Sequence, residues 1–239
     1  MKNYIFEKSF DDIFSLVRIN IELEKFNEKP IYKLDDFFDF QPHQSFLLPK
    51  NNNSFRTISI PPTKLKIIQR IIYQDLSYSF QFNNRSYAFQ HNKSPIKAIN
   101  RVKHIIQSHE FILKTDIKNF FDTMDHTILH NKLKDLIKDQ KIIYIILLFI
   151  NNGALFKGVW VDKLQGVYQG DVLSPLLSNI YLDSFDEHFE SKNIEFIRYA
   201  DDIIFFTKQY NEAKILLQDI ADYLKTLKLE LNQDKTYIV

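Results

Sequence analysis

The sequence predicts an α+β fold in which an antiparallel sheet is backed by helices. Three runs, Phe111–Thr115, Ile194–Tyr199 and Ile203–Thr207, are short, β-prone and largely apolar. The last two are separated only by Ala200-Asp201-Asp202, so they read as a hairpin with an acidic turn, and a hairpin pairs its strands antiparallel. Longer segments around these runs space their apolar residues three and four apart, as helices do.

In chain order, residues 7–27 set Phe10, Ile13, Phe14, Val17, Ile21 and Leu23 among charges, which predicts one amphipathic helix. Pro30 and Pro42 punctuate a connection over 28–45. Phe46–Lys50 and Phe55–Ile60 read as strands joined by the polar Asn51–Ser54 turn and stopped by Pro61-Pro62, with Lys50 and Arg56 near the turn on either arm. Leu65, Ile68, Ile72 and Leu76 predict a helix over 63–80. Ser94-Pro95 opens a further helix carrying Ile96, Ile99, Val102 and Ile106. Phe111–Thr115 delivers Asp116 at its end, and Asp125 caps a helix bearing Ile128, Leu129, Leu133 and Leu136. Residues 142–150 form a buried helix, 154–168 are strand-like, Ser174-Pro175 starts a helix to about Phe189, a helix covers 211–227, and Leu229–Val239 is extended.

Composition narrows the chemistry. A chain of 239 residues, 45% of them hydrophobic, can bury a substantial core. With no cysteine, disulfide frameworks, thiolate zinc sites and cysteine nucleophiles are excluded. The charged N-terminus lacks a signal-like apolar core, and the apolar run over 142–150 falls short of the roughly 18 residues a spanning helix needs, so the expectation is cytoplasmic with no membrane role. A net charge of +1 neither supports nor excludes a nucleic-acid partner, because acid at a metal site and base along a track cancel in the sum. The group Lys93, Lys97, Arg101, Lys103 and His104 reads as a solvated helix face.

Two adjacent aspartates between apolar strands repel one another, which points to a positive partner. If one sheet holds both Asp116 and the Asp201-Asp202 pair, the three offer the hard oxygen ligands that two magnesium ions need for in-line phosphoryl transfer. Taken alone, Asp-Asp in a turn is equally ordinary turn chemistry.

The surrounding words are more specific. Tyr199-Ala200-Asp201-Asp202 resembles the YxDD box of reverse transcriptases, and the stretch from Gln169-Gly170 through Leu173-Ser174-Pro175 to Tyr181-Leu182 resembles their QG-x-x-LSP-x-L-x-N-x-YL motif. Asp116–Asp122 resembles their first palm motif, and Leu229–Thr236 their later LxLN-x-x-KT motif. The four occur in the family's order, and the likeness spans roughly residues 46–239, nearest to bacterial group II intron, retron and phage-defence enzymes. Residues 169–175 read QGDVLSP in place of the retron form QGAPTSP, and 87–94 lack the arginine-rich fingers stretch usual in intron enzymes.

The resemblance implies a right-hand polymerase: N-terminal helix and fingers over 1–109, palm over 110–239, and a chain that stops where a thumb would follow. It implies RNA-directed DNA synthesis with two Mg2+ ions, or Mn2+ in their place. Asp116, Asp201 and Asp202 would be metal ligands together with the Ile117 carbonyl, and Lys235 would be a general acid. Lys50 and Arg56 would clamp the triphosphate, Phe121 would exclude a 2′-hydroxyl, and Gln169 and Gly170 would line the nucleotide. Asp122 would order its turn. Implied partners are an RNA template, a DNA or RNA primer, deoxynucleotides, a dedicated non-coding RNA and a second protein chain supplying the thumb. Defence and retroelement roles share this site. The alternatives are untemplated or protein-primed synthesis with the same carboxylates, and a noncatalytic nucleic-acid scaffold.

Overall fold

The first departure from the sequence pattern comes early. In the computed structural model, which describes residues 5–38, 41–49 and 55–239, residues 7–27 make two helices, α1 (Phe10–Ile13) and α2 (Leu16–Lys25). Ser15 accepts from the Arg18 N–H and restarts the helix where one was expected to continue. Val17 and Ile21 consequently face solvent at 71% and 50% exposure, while Ile19 and Leu23 are buried.

β1 (His43–Pro49) and β2 (Phe55–Ile60) pair antiparallel, Gln44 opposite Ile60 and Leu48 opposite Arg56. Lys50 and the Asn51–Ser54 turn lie outside the described residues. The proline pair leads into α3 (Thr63–Ser79), which buries Leu65, Ile68, Ile72 and Leu76 as the periodicity requires. α4 (Pro95–Ile105) is capped by Ser94 as expected but presents a different face. Ala98 and Ile105 pack inward, whereas Ile96, Ile99 and Ile106 are exposed. The small Ala98 sets the face of closest approach and turns the isoleucines outward.

β3 (Phe111–Asp116) is followed by a short α5 (Phe120–Thr123), by α6 (His126–Leu136), whose cap Asp125 accepts from the Ile128 N–H, and by the buried α7 (Gln140–Asn151). Within 154–168 only β4 (Ala154–Phe156) and β5 (Val159–Val161) are strands. Lys157 and Gly158, both at positive φ, close them into a two-residue hairpin of the primed kind, and the remainder is irregular because it is zipped onto α5. β4 lies parallel to β1, so the first sheet runs β2-β1-β4-β5 and takes strands from both halves of the chain.

α8 (Ser174–Ser191), β6 (Phe196–Tyr199), β7 (Asp202–Thr207), α9 (Tyr210–Thr226) and β8 (Tyr237–Ile238) complete the fold. The second sheet, β6-β7-β3-β8, is antiparallel throughout, as predicted. The last eleven residues are not one extended stretch, for Gln233–Lys235 form a 3-10 turn. Side chains alternate across this sheet: Leu113, Phe196, Ile203 and Phe205 join the main core, while Ile112, Ile197, Ile204 and Phe206 meet α4. Covering on both faces explains why its strands read as nearly continuous apolar runs. Phe185 and Phe189 of α8 lie 4.7 Å apart at their ring centroids and form an aromatic layer with Phe196 and Phe205. No described helix is long and apolar enough to cross a membrane.

Candidate active site

Strand register gathers the three aspartates. Asp116, the last residue of β3, stands directly opposite Asp202, the first of β7, and Asp202 is also the partner of Tyr199 across the β6–β7 hairpin. Asp201 therefore sits in the turn between them, and its carbonyl accepts from the Ile117 N–H at 3.2 Å. Asp116 is buried, Asp201 half-buried and Asp202 exposed. Burial raises the Asp201 carboxyl above its ordinary value, and the charges of Asp116 and Asp202 push the same way.

The chain's last segment closes over Asp116. Lys235 Nζ donates to Asp116 Oδ2 at 2.9 Å, Asn232 Nδ2 donates to Oδ1 at 3.0 Å, and the Asn232 N–H donates to the Asp116 carbonyl at 2.8 Å. The contact with Asp116 holds the Lys235 ammonium above the usual lysine range, reinforced by Asp202 and Asp201. Among the described residues no three carboxylate or imidazole side chains are gathered closely enough to hold an ion as they stand. The donor chemistry nonetheless fits a hard divalent cation, since carboxylate oxygens come from facing strands and one cation, the Lys235 ammonium, is already drawn to them.

A second group lies beside the first sheet. Gln169 donates from Nε2 to Asp122 Oδ2 at 3.1 Å, and Lys163 pairs with the other oxygen at 3.5 Å. The Gln169 carbonyl accepts from the Ser59 N–H of β2 at 3.1 Å, and Gly170, at φ 130, lies so close that a Cβ there would stand 2.5 Å from the Ser59 carbonyl. Asp171 takes the buried His43 Nε2 at 2.8 Å, and the Val172 N–H donates to Gln69. The loop bearing Gln169 is thus held to both strands of the β1–β2 hairpin. A cleft of about 600 Å³ opens between them, lined by Leu47, Thr57, Phe156, Tyr168 and Gln169.

Phe121 is half-buried on α5, its ring centroid 5.7 Å from that of Phe120, and its carbonyl accepts from the Val167 N–H. Ile117 is buried, and the pairing around it uses the Asp116 carbonyl and the Lys118 N–H. Arg56 is exposed on β2.

The sequence reading missed several supports. Arg198 is wholly buried on β6 and pairs with the equally buried Asp186 of α8. Asn179 and the Ala200 carbonyl accept from the same guanidinium. The signal was present: Asp186 interrupts the apolar face formed by Leu182, Phe185 and Phe189, and Arg198 falls on the inward side of Phe196-Ile197-Arg198-Tyr199. Asn232 carried a sign as the asparagine of the LxLN-x-x-KT stretch, though not its contact with Asp116, and the His43–Asp171 pair carried none.

An antiparallel sheet that brings carboxylates to one end of its central strands, beside a hairpin sheet and backed by helices, is the architecture of the palm and fingers of a polynucleotide polymerase. Solved structures share it: a telomerase from Candida albicans superposes with a TM-score of 0.64 at 16% identity over 87% of this chain and 44% of that one. The Sicinivirus 3Dpol RNA-dependent RNA polymerase does so with a TM-score of 0.56 at 15% identity, over 92% and 49%. Residues 48–239 match the family model described as reverse transcriptase (RNA-dependent DNA polymerase), and the chain belongs to that family. It is 26% identical to the putative COX1/OXI3 intron 2 protein of Saccharomyces cerevisiae over 92% of this chain and 33% of that protein. It is 30% identical to the group II intron-encoded protein LtrA of Lactococcus lactis over 86% and 35%, and 26% identical to the retron Ec73 reverse transcriptase of Escherichia coli over 78% and 60%. The chain thus spans about a third of the length of the two intron proteins.

Proposed function

We propose that this chain forms the fingers and palm of an RNA-directed DNA polymerase that adds deoxynucleotides to a primer. The observation that carries the reading is the register that sets Asp116 against Asp202 with Asp201 in the adjoining turn, in a chain of the reverse transcriptase family. Residues 1–109 are assigned to the N-terminal helices and fingers and 110–239 to the palm, with Ala154–Val161 returning into the fingers sheet.

In this reading Asp116, Asp201 and Asp202, with the Ile117 carbonyl, hold two magnesium ions. Those ions, or manganese in their place, supply charge stabilisation for the attacking and leaving oxygens when bound. The protein's own groups position the rest. Gln169, oriented by Asp122, and Gly170, pressed against Ser59, form one wall of the nucleotide site; Phe121 stands where a 2′-hydroxyl would have to fit. Arg56 grips the triphosphate from the β1–β2 hairpin, since a guanidinium engages phosphate oxygens with two donors at once, and Lys50, outside the described residues, is assigned the same task from its place in the sequence. Lys235 holds a proton that it can give to the departing pyrophosphate once its contact with Asp116 is released. The partners are an RNA template, a DNA or RNA primer and deoxynucleotides. A structured non-coding RNA and a second chain that grips the duplex complete the proposal, with anti-phage defence or a retroelement as its setting.

The test is deoxynucleotide incorporation on a primed RNA with magnesium, run beside Asp201→Asn and beside a reaction without template. Template-dependent product that disappears in the variant is the expected result. Product without template would replace this reading by untemplated or protein-primed synthesis, and undiminished activity in Asp201→Asn would overturn the assignment of the carboxylates.

A further inference from the structure

The turn that carries Asp201 and Asp202 is strained, and something must hold it. Ala200, at φ 57, lies in the left-handed region, which non-glycine residues enter at some expense. Tyr199 pairs with Asp202, so Ala200 and Asp201 are the two central residues of a tight hairpin turn, and a positive φ at the first of them is a place ordinarily taken by glycine. Ala200 is also buried, at 7% exposure, so its carbonyl needs a donor.

Arg198 provides it. Its Nη1 lies 3.1 Å from the Ala200 carbonyl oxygen and 3.2 Å from Asn179 Oδ1, while Nε reaches Asp186 Oδ1 at 2.7 Å and Nη2 the other carboxylate oxygen. Asn179 is itself fixed by donating to the Ala88 carbonyl at 2.9 Å. The guanidinium is therefore clamped on two sides by α8 and spends a remaining N–H on the turn. We propose that Arg198 is a positioning residue whose bond to the Ala200 carbonyl keeps the Ala200–Asp202 turn in its left-handed bend. An ammonium could balance the Asp186 charge, but it lacks the planar fork that reaches Asp186, Asn179 and Ala200 together. The inference rests on the proposed role of Asp201 and Asp202 only for its effect on catalysis; its effect on the turn stands apart.

The test measures amide hydrogen exchange of the peptide spanning 199–203, with that of α8 as the internal standard, in the full chain. Arg198→Lys keeps the charge pair, and Arg198→Met with Asp186→Leu removes both charges without stranding either. Both are expected to speed exchange in 199–203 by roughly tenfold, the worth of one lost buried hydrogen bond, while α8 stays protected. Adding Ala200→Gly, which enters the left-handed region freely, should restore about fivefold of that loss. In the polymerase assay the same variants should lower kcat with KM for nucleotide little changed, and glycine should recover part of it. Unchanged exchange in 199–203 in either variant would reduce Arg198 to a core ion pair, and failure of Ala200→Gly to restore anything would show that the bend is not what Arg198 holds. If the parent chain incorporates no nucleotide, the proposed function fails, while the exchange measurement still decides the inference.

Discussion

A single methyl group on Gly170 probes the junction between hairpin and palm. The Cβ of Gly170→Ala would meet the Ser59 carbonyl oxygen at 2.5 Å, the Ser59 carbonyl carbon at 3.5 Å and Ile58 Cγ2 at 3.7 Å, and the φ of 130 is one that L-residues rarely adopt. The obstacle is backbone, so no side chain can swing aside, and the loop must lift from β2 and give up the Ser59 N–H to Gln169 carbonyl bond of 3.1 Å. Backbone strain of about 1–3 kcal/mol and a lost hydrogen bond of about 1 kcal/mol together come to about 2–4 kcal/mol. Because Gln169 is the neighbouring residue, its displacement should appear as a fall in kcat/KM for deoxynucleotide of between about thirtyfold and a thousandfold if the whole strain falls on the site. Single-nucleotide addition to a primed RNA, with KM for nucleotide and for primer-template measured separately, reads this directly. Gly158→Ala is the control: its φ is 80, but the new Cβ meets nothing within 4 Å. It should lower stability by about 1–2 kcal/mol and leave nucleotide use alone. The reasoning fails if Gly170→Ala keeps kcat/KM within twofold of the parent, or if Gly158→Ala loses as much.

Two further outcomes follow from the same geometry. Phe121→Val should raise ribonucleotide incorporation relative to deoxynucleotide by roughly ten- to a hundredfold, the discrimination a pocket gains by excluding a small group; a competition assay with both sugars measures it, and an unchanged ratio would remove Phe121 from the sugar site. Burial, reinforced by Asp186 and Glu187, raises the Asp183 carboxyl from 3.8 to about 6, so the folded chain binds this proton more tightly than the unfolded one does. The burden on stability is therefore full above about pH 6 and is relieved as pH falls toward 3.8. Asp183→Asn should stabilise the chain at pH 7.5, by at most about 3 kcal/mol, and the advantage should shrink as the pH approaches 4; denaturant unfolding at several pH values reads it, and an advantage independent of pH would refute the cause.

The palm sheet was legible because its strands obey two rules at once: apolar residues on both faces, and carboxylates only where a strand ends. The helices were legible where their apolar spacing also matched a buried face, as in α3. Where spacing and burial parted, the pattern misled. Val17 and Ile21 continue a helical stripe across Ser15, but a serine that caps restarts the helix in a new phase. Ile96, Ile99 and Ile106 outweigh Ala98 in hydrophobicity, yet the small residue is the one the sheet accepts. The aspartates were legible through the motifs around them; for Arg198 the sequence shows only that a charge falls on an inward face, and its role becomes intelligible only with Asp186, Asn179 and Ala200, which come from a different element and a turn.

Register emerges as part of the chemistry. Successive residues of a strand point to opposite faces, so a slip of one position between β3 and β7 would exchange Asp202 for Ile203 opposite Asp116 and send the acids to different sides. The fold pins that register from several directions. Ile117 donates to the Asp201 carbonyl at one end of β3 and Glu110 to the Thr207 carbonyl at the other, while on the opposite side of β3 the Ile112–Val239 exchange and the Thr115–Thr236 bond of 2.9 Å hold it against the C-terminal segment. Like charges brought this close oppose folding, and apolar strand pairing alone is indifferent to where the carboxylates fall. Lys235 and Asn232, both from the segment after α9, answer the repulsion at Asp116, and Arg198 steadies the turn behind Asp201. The C-terminal segment, extended by its residue pattern and marked by the LxLN-x-x-KT resemblance, is thus a wall of the site: it supplies the cation that balances Asp116 and the pairing that holds the other side of β3.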